Sequence, residues 1–177
     1  MENIYFKGLE KSLNDGCYIK VFSCSLRYPV VRVEKKSQET NEVELVSNAE
    51  NGNVIAALNS ASSKIIDELS DEDKTYETLW CKRTLIDKVV EQGYTLHFFK
   101  LSNGQVLSTI CCKRCGDYIP VKSIIADDIK TAFETLNAAL QSFNFESKYD
   151  FHNFVEREVS PVEAYKKTLR KEKTKTK

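Results

Sequence analysis

Glycine and proline are scarce in this chain, six and three residues among 177, which excludes collagen-like repeats and linker-dominated architectures. Histidine occurs only twice, as His97 and His152, and neither has a carboxylate at a recognisable spacing to orient it as a base. A glycine-rich phosphate loop, a GxSxG elbow and an HExxH helix are all missing, so neither enzymatic activity nor a cofactor is expected. No uninterrupted apolar run reaches the roughly 18 residues that a membrane helix needs. The opening MENIYFKGLEK lacks the apolar stretch of a secretory signal. Six cysteines (Cys17, Cys24, Cys81, Cys111, Cys112, Cys115) are too few for a disulfide scaffold of this length. They read as reduced thiols, and the expected compartment is the cytoplasm or another reducing intracellular space.

What remains is a globular composition, 41% hydrophobic and 29% charged, sized for one compact domain or two small ones sharing a core. The 26 basic and 26 acidic residues cancel, yet they are unevenly placed. Residues 166–177 hold Lys166, Lys167, Arg170, Lys171, Lys173, Lys175 and Lys177 against Glu172 alone. The remainder is an acidic body of net charge −6, with 19 basic and 25 acidic groups. A tail of this kind is expected to be disordered and solvated, or to act as an arm that meets phosphates or an acidic partner. The acidic body argues against non-specific duplex binding through long-range charge.

Laid over itself at an offset of about 77, the chain brings Lys11 onto Lys88 and Gly16 onto Gly93. CYIKVFSC from Cys17 then lies over YTLHFFKL from Tyr94, and YPVVRVEKK from Tyr28 over QVLSTICCK from Gln105. With a one-residue slip, ALNSASSKI from Ala57 meets TLNAALQSF from Thr135. Each half reads as three strands and a helix. Residues 18–24 and 94–101 are rich in aromatic and β-branched side chains. Asn103-Gly104 marks a hairpin that pairs 94–101 with 105–112, and third strands are expected at 42–46 and 118–123. Val54, Leu58, Ala61, Ile65 and Leu69 recur at helical spacing behind Asn51-Gly52-Asn53. Ile129, Ala132, Phe133, Leu136, Ala139, Leu140 and Phe143 do so behind Asp127. Residues 4–9 are read as a further strand, while 84–91 fits either a strand or a helix. Phe145, Tyr149, Phe151 and Phe154 suggest an ordered aromatic segment that packs back on the second half.

The expected fold is therefore α+β: two tandem antiparallel-sheet-plus-helix units sharing a core. The division is 1–70 for the first unit, 71–83 for a charged linker, 84–160 for the second unit with its aromatic extension, and 161–177 for the basic tail. Alternation along the strands assigns Ile19, Val21, Val31, Val33, Leu96, Phe98 and Ile110 to the core. Tyr18, Lys20, Phe22, Cys24, Val30, Arg32 and Lys36 then share the opposite face, with His97, Phe99, Leu101, Thr109 and Lys113. Phe22 and Phe99 occupy matched positions, each two residues after Lys20 or His97. Exposed rings among basic groups suit single-stranded nucleic acid, because every base offers a π-face worth ~1–3 kcal/mol on stacking. Such a face also suits packing against a partner protein or a second subunit.

The order of aromatic strand, turn, apolar strand, YIPV strand and amphipathic helix in HFFKLSNGQVLSTICCKRCGDYIPVKSIIADDIKTAFETLNAAL, from His97 to Leu140, resembles the second unit of the Whirly proteins. Related to these in outline are their kinetoplastid guide-RNA-binding relatives and the PUR repeat proteins. The following SFNFESKYDFHNF is also similar, the first half matches in outline, and the Whirly lysine-glycine-lysine-alanine sequence is absent. The resemblance implies binding of single-stranded DNA or RNA across the sheet, often by an oligomer. The candidate binding residues are Tyr18, Lys20, Phe22, Arg32, His97, Phe99 and Lys113, with Arg170 and Lys171 in the tail. The alternative is a protein-interaction module that docks on or inhibits a partner through the same face. No membrane partner is expected, and a homo-oligomer fits both readings.

Cys111-Cys112-Lys113-Arg114-Cys115 is the most metal-like run, but tetrahedral zinc needs four ligands and no second pair stands at CxxC spacing. In a strand Cys111 and Cys112 point to opposite faces, so Cys81, Cys24 or His97 would have to complete a site. Ordinary thiols at a hairpin end are the reading kept, and no metal is expected. A Cys–His nucleophile pair would need Cys111 or Cys115 beside His97 and an oriented base, which no spacing supplies.

Overall fold

The structure is a computed structural model and describes residues 6–24, 28–66, 83–114, 116–147 and 149–175, with side chains as far as Lys167. In chain order the elements are α1 (Lys7–Asn14), β1 (Cys17–Ser23), β2 (Pro29–Lys36), β3 (Val43–Glu50) and α2 (Val54–Ile65). The second half supplies α3 (Leu85–Glu91), β4 (Thr95–Lys100), β5 (Val106–Arg114), β6 (Asp117–Ala126) and α4 (Ile129–Ala139). A 3-10 turn (Leu140–Ser142) then leads to a long α5 (Asp150–Lys175). The fold is α+β, as the sequence predicts. All strand pairs are antiparallel, in one six-stranded sheet of order β3-β2-β1-β4-β5-β6. Among the described residues no helix is long and apolar enough to cross a membrane.

The order helix, three strands, helix occurs in both halves. The halves meet at β1 and β4, where Ile19 faces Phe98, Lys20 faces His97 and Val21 faces Leu96. At an offset of 77, Ile19 corresponds to Leu96, Lys20 to His97 and Val21 to Phe98, so the register is two-fold symmetric about the Lys20–His97 pair. Gly16 and Gly93 stand at corresponding positions in the left-handed region, φ +81 and +90. Each ends its half's first helix and turns the chain into the central strands, a conformation that glycine adopts without steric cost.

The strand faces segregate as their alternation dictates. Ile19, Val21, Val31, Val33, Leu96, Phe98 and Ile110 are fully buried and join side chains of all five described helices in one apolar cluster. Both halves contribute to that core. Cys112 lies within it, and Cys111 belongs to the other face, since it faces Thr95 in the β4–β5 register.

Two local expectations change and one open reading is settled. The region read as a strand at 4–9 is helical from Lys7. The reason is period: Gly8, Leu9, Ser12 and Leu13 form a buried stripe at three- and four-residue spacing. Residues 84–91 resolve to helix, because Thr84 accepts from the Asp87 backbone N–H while the Asp87 carboxylate accepts from the Thr84 N–H. This reciprocal cap fixes a helical start. Among the described residues each half consequently has three strands and not four. The tail expected to be disordered continues α5 as far as Lys175, through Pro161. Phe151, Val155 and Val159 seat its first turns in the core. Beyond the proline, Lys166 Nζ bonds Asp117 Oδ2 at 2.8 Å, tying the helix to the β5–β6 hairpin. Of the linker assigned to 71–83, all but Arg83 lies outside the described residues.

Polar side chains, buried or half-buried, join the helices. Ser62 of α2 accepts from the Gly8 N–H of α1 at 3.0 Å. In the other half Asn137 of α4 accepts from Leu85 N–H at 2.9 Å and Ile86 N–H at 3.3 Å. Two further caps cross between the halves. Asp87 Oδ1 accepts from Val54 N–H, at the start of α2, at 2.7 Å. Glu10 accepts from Ile129 N–H at the start of α4. Glu10 and Asp87 are 77 residues apart, so the halves exchange equivalent caps, each satisfying a helix-terminal donor that would otherwise be orphaned.

Candidate nucleic-acid interface

The helices cover one face of the sheet, and on the other β1 presents Tyr18, Lys20 and Phe22. The pairing aligns these side chains in rows across the sheet. Lys20 lies between Arg32 on β2 and His97 on β4, and His97 faces Thr109 on β5, which faces Ser123 on β6. Arg32 faces Asn48 on β3. Two residues along β1 from Lys20, Tyr18 faces Glu34 on its β2 side.

Rings and cations alternate over this surface. The Arg32 guanidinium carbon is 5.3 Å from the Phe22 ring centre, and Lys20 Nζ is 5.5 Å from it. Lys20 Nζ is also 4.4 Å from the Tyr118 ring, which Lys113 Nζ approaches to 5.8 Å. The sequence cation, ring, cation, ring, cation thus runs from β2 to the β5–β6 hairpin, each step within cation–π range. A second line of rings adjoins it. Tyr18 stacks on Phe99 at 6.1 Å and 20°, Phe99 lies 5.9 Å from His97, and His97 meets Tyr118 edge-on at 4.9 Å. Phe22 and Phe99 do not touch: antiparallel pairing sends them to opposite ends of the β1–β4 seam. Both are partly exposed.

His97 differs from expectation. It shares the open face but is only 6% exposed, and Thr95 Oγ1 lies 2.9 Å from its Nε2. Burial, together with the neighbouring Lys20 charge, lowers its pKa to about 4. Near neutral pH it is an uncharged spacer between Phe99 and Tyr118 and offers no charge to a phosphate. Thr95, Thr109 and Cys111 beside it are buried as well. Burial also raises the Cys111 thiol to about 11, so it is protonated and a poor nucleophile or ligand at neutral pH. Tyr18 donates to the Glu34 carboxylate. Burial first, and then that carboxylate, raise its phenol to about 12, which fixes it as a neutral ring.

Of the sequence candidates, Tyr18, Lys20, Phe22, Arg32, His97, Phe99 and Lys113 are thus gathered on one face. Arg170 and Lys171 lie on α5, beyond the side chains described. Cys115 and Cys81 fall outside the described residues. The residue that strand alternation missed is Tyr118, whose ring links Lys20, His97 and Lys113. Its opposition to Lys113 across the β5–β6 hairpin was the available signal, but its reach over to β1 is a tertiary fact. No protein family, no curated protein and no solved structure matches this chain.

Proposed function

We propose that the open face binds single-stranded nucleic acid, with no catalytic role. The observation that carries this reading is the alternating row Arg32, Phe22, Lys20, Tyr118, Lys113, flanked by the Tyr18–Phe99 stack, on the sheet face opposite the described helices. Bases stack on the partly exposed rings while the cations follow the phosphates, a combination tolerant of sequence. The resemblance to Whirly and PUR-repeat proteins points the same way. The acidic body limits long-range attraction, so affinity rests on local contacts and stacking. Three cations on phosphates predict a slope of about −2 in log affinity against log salt for a single strand.

Titration of a labelled single-stranded DNA or RNA oligomer into the full chain at low and moderate salt tests this. Phe22→Ala/Phe99→Ala is expected to weaken binding at least tenfold, and Lys20→Gln to flatten the salt slope. Absence of binding even at low salt overturns the reading. A protein partner on the same face is the second reading. It is favoured by the neutral stripe that continues from Phe99 through Leu107 to exposed Ile125, which offers apolar area and no charge.

A further inference from the structure

We propose that β3 is a docking edge for an extended segment of a partner protein in which apolar and basic residues alternate, added as a seventh strand. The two ends of the sheet are built differently. β6 carries Pro120, which has no N–H to offer, and Lys122. Its first residue is tied to α5 by the Lys166–Asp117 pair, and the adjacent Arg114 is held by Glu156. These devices blunt an edge. β3, VELVSNAE, has neither proline nor lysine, and Val43, Leu45 and Val46 are 53%, 54% and 41% exposed.

The ladder shows which backbone groups are free. Ser37 N–H donates to Glu42 C=O at 2.8 Å, and Asn51 N–H to Pro29 C=O at 3.2 Å. Antiparallel residues bond inward at alternate positions, so these two bonds, with the irregularity between Val33 and Glu34, turn Val43, Leu45, Asn48 and Glu50 outward. Lys64 of α2 takes the Asn48 carbonyl. Val43 and Leu45 have no such partner among the described residues and present donors and acceptors to an added strand.

Side-chain chemistry then selects the occupant. Val43 faces Lys36 and Leu45 faces Glu34, so both point to the open face. Glu44 faces Lys35 and, with Glu42, lies on the other side. Among the described residues Glu42, Glu44 and Glu50 form no ion pair. A strand laid along this edge gains most when apolar side chains sit beside Val43 and Leu45 and cations sit beside Glu42 and Glu44. A second copy of β3 is disfavoured, because antiparallel self-pairing centred on Ser47 sets Glu44 against Glu50, and other registers still crowd the acids of both copies along the seam. The tail helix of the same molecule lies at the far edge, across the whole sheet.

The test uses the full chain, isotope-labelled, and a short synthetic peptide alternating lysine and valine. The expected result is saturable binding with new amide protection at Val43 and Leu45. A peptide with glutamate in place of lysine, and the Glu42→Lys/Glu44→Lys variant, each weaken it at least tenfold. Leu45→Pro, which removes one outward donor, abolishes the protection, and the glutamate variant stands in for it should the proline unfold the protein. No binding overturns the proposal. So does equal binding by a peptide of the same composition with its lysines blocked at one end, or protection elsewhere on the sheet. Concentration-dependent self-association that protects β3 without peptide overturns it in favour of a second copy.

Discussion

The two halves share an element order and a symmetric seam but use them differently. Around the Lys20–His97 pair the first half carries the exposed charge, with Lys20 beside Arg32, while the corresponding positions of the second half hold buried His97 and Thr109. The second half adds α5, which packs against the core through Phe151, Val155 and Val159. At the helix contacts Gly8 fills in one half the place that Leu85 fills in the other, and Ser62 that of Asn137. The lesson is that the same strand pairing accommodates different side chains: beside the central pair one half sets exposed Arg32, where the other buries Thr109.

The sharpest asymmetry is at Gly8, where an added Cβ would lie 2.2 Å from the Ser62 carbonyl oxygen. Gly8→Ala is expected to cost about 3 kcal/mol or more, as overpacking against backbone does. Leu85→Ala, at the corresponding position, should cost about 1 kcal/mol in the same urea-unfolding assay. Equal losses would show that the two helix contacts are alike after all. The central pair is separated by acid. His97 titrates near 6.5 when unfolded and about 4 when folded, so the unfolded chain binds more protons in between. Stability therefore falls as pH drops from 6.5 to 4, by about 3 kcal/mol at the lower limit. His97→Gln should remove that part of the acid loss, and denaturation of both proteins at pH 7 and pH 4 measures it.

The exchanged caps are predicted to be unequal. Asp87 bonds the starts of both α2 and α3, whereas Glu10 bonds only that of α4. Asp87→Ala should cost about 2 kcal/mol and Glu10→Ala about 1 kcal/mol. Because burial raises the Glu10 pKa, ionising it weakens the fold as pH rises from the ordinary carboxylate value through the raised one. Glu10→Gln, which retains an acceptor, should then match wild type at neutral pH more closely than Glu10→Ala does. The smallest effect belongs to α5: Lys166→Ala, at a half-exposed pair, should change stability by about 0.5 kcal/mol yet lower helical content beyond Pro161, read by backbone chemical shifts.

The sheet was legible because strand signals are local. Ile19 and Val21 alternate with Tyr18 and Lys20, and Asn103-Gly104 marks its own hairpin. The helix stripe at Val54 and its Asn53 cap were readable for the same reason, while the cap of α4 falls on Asp128 and not Asp127. The first helix was not readable because its buried face includes Gly8 and Ser12, small residues that carry little hydropathy signal and are buried by close approach to α2. The tail's helix is tied to Asp117, 49 residues from Lys166, a contact that composition alone does not reveal. At the candidate site the face and its cations could be assigned by alternation, but the burial of His97 and the reach of Tyr118 depend on how neighbouring strands fill space.

Reciprocal capping bears on what would happen if the polypeptide were cut between Ile66 and Arg83. Each fragment's second helix would keep its own N-cap but lose one bond to its first turn, one from the carboxylate of Asp87 and the other from that of Glu10. The severed pieces should remain clasped as a heterodimer, and separating them should melt both together.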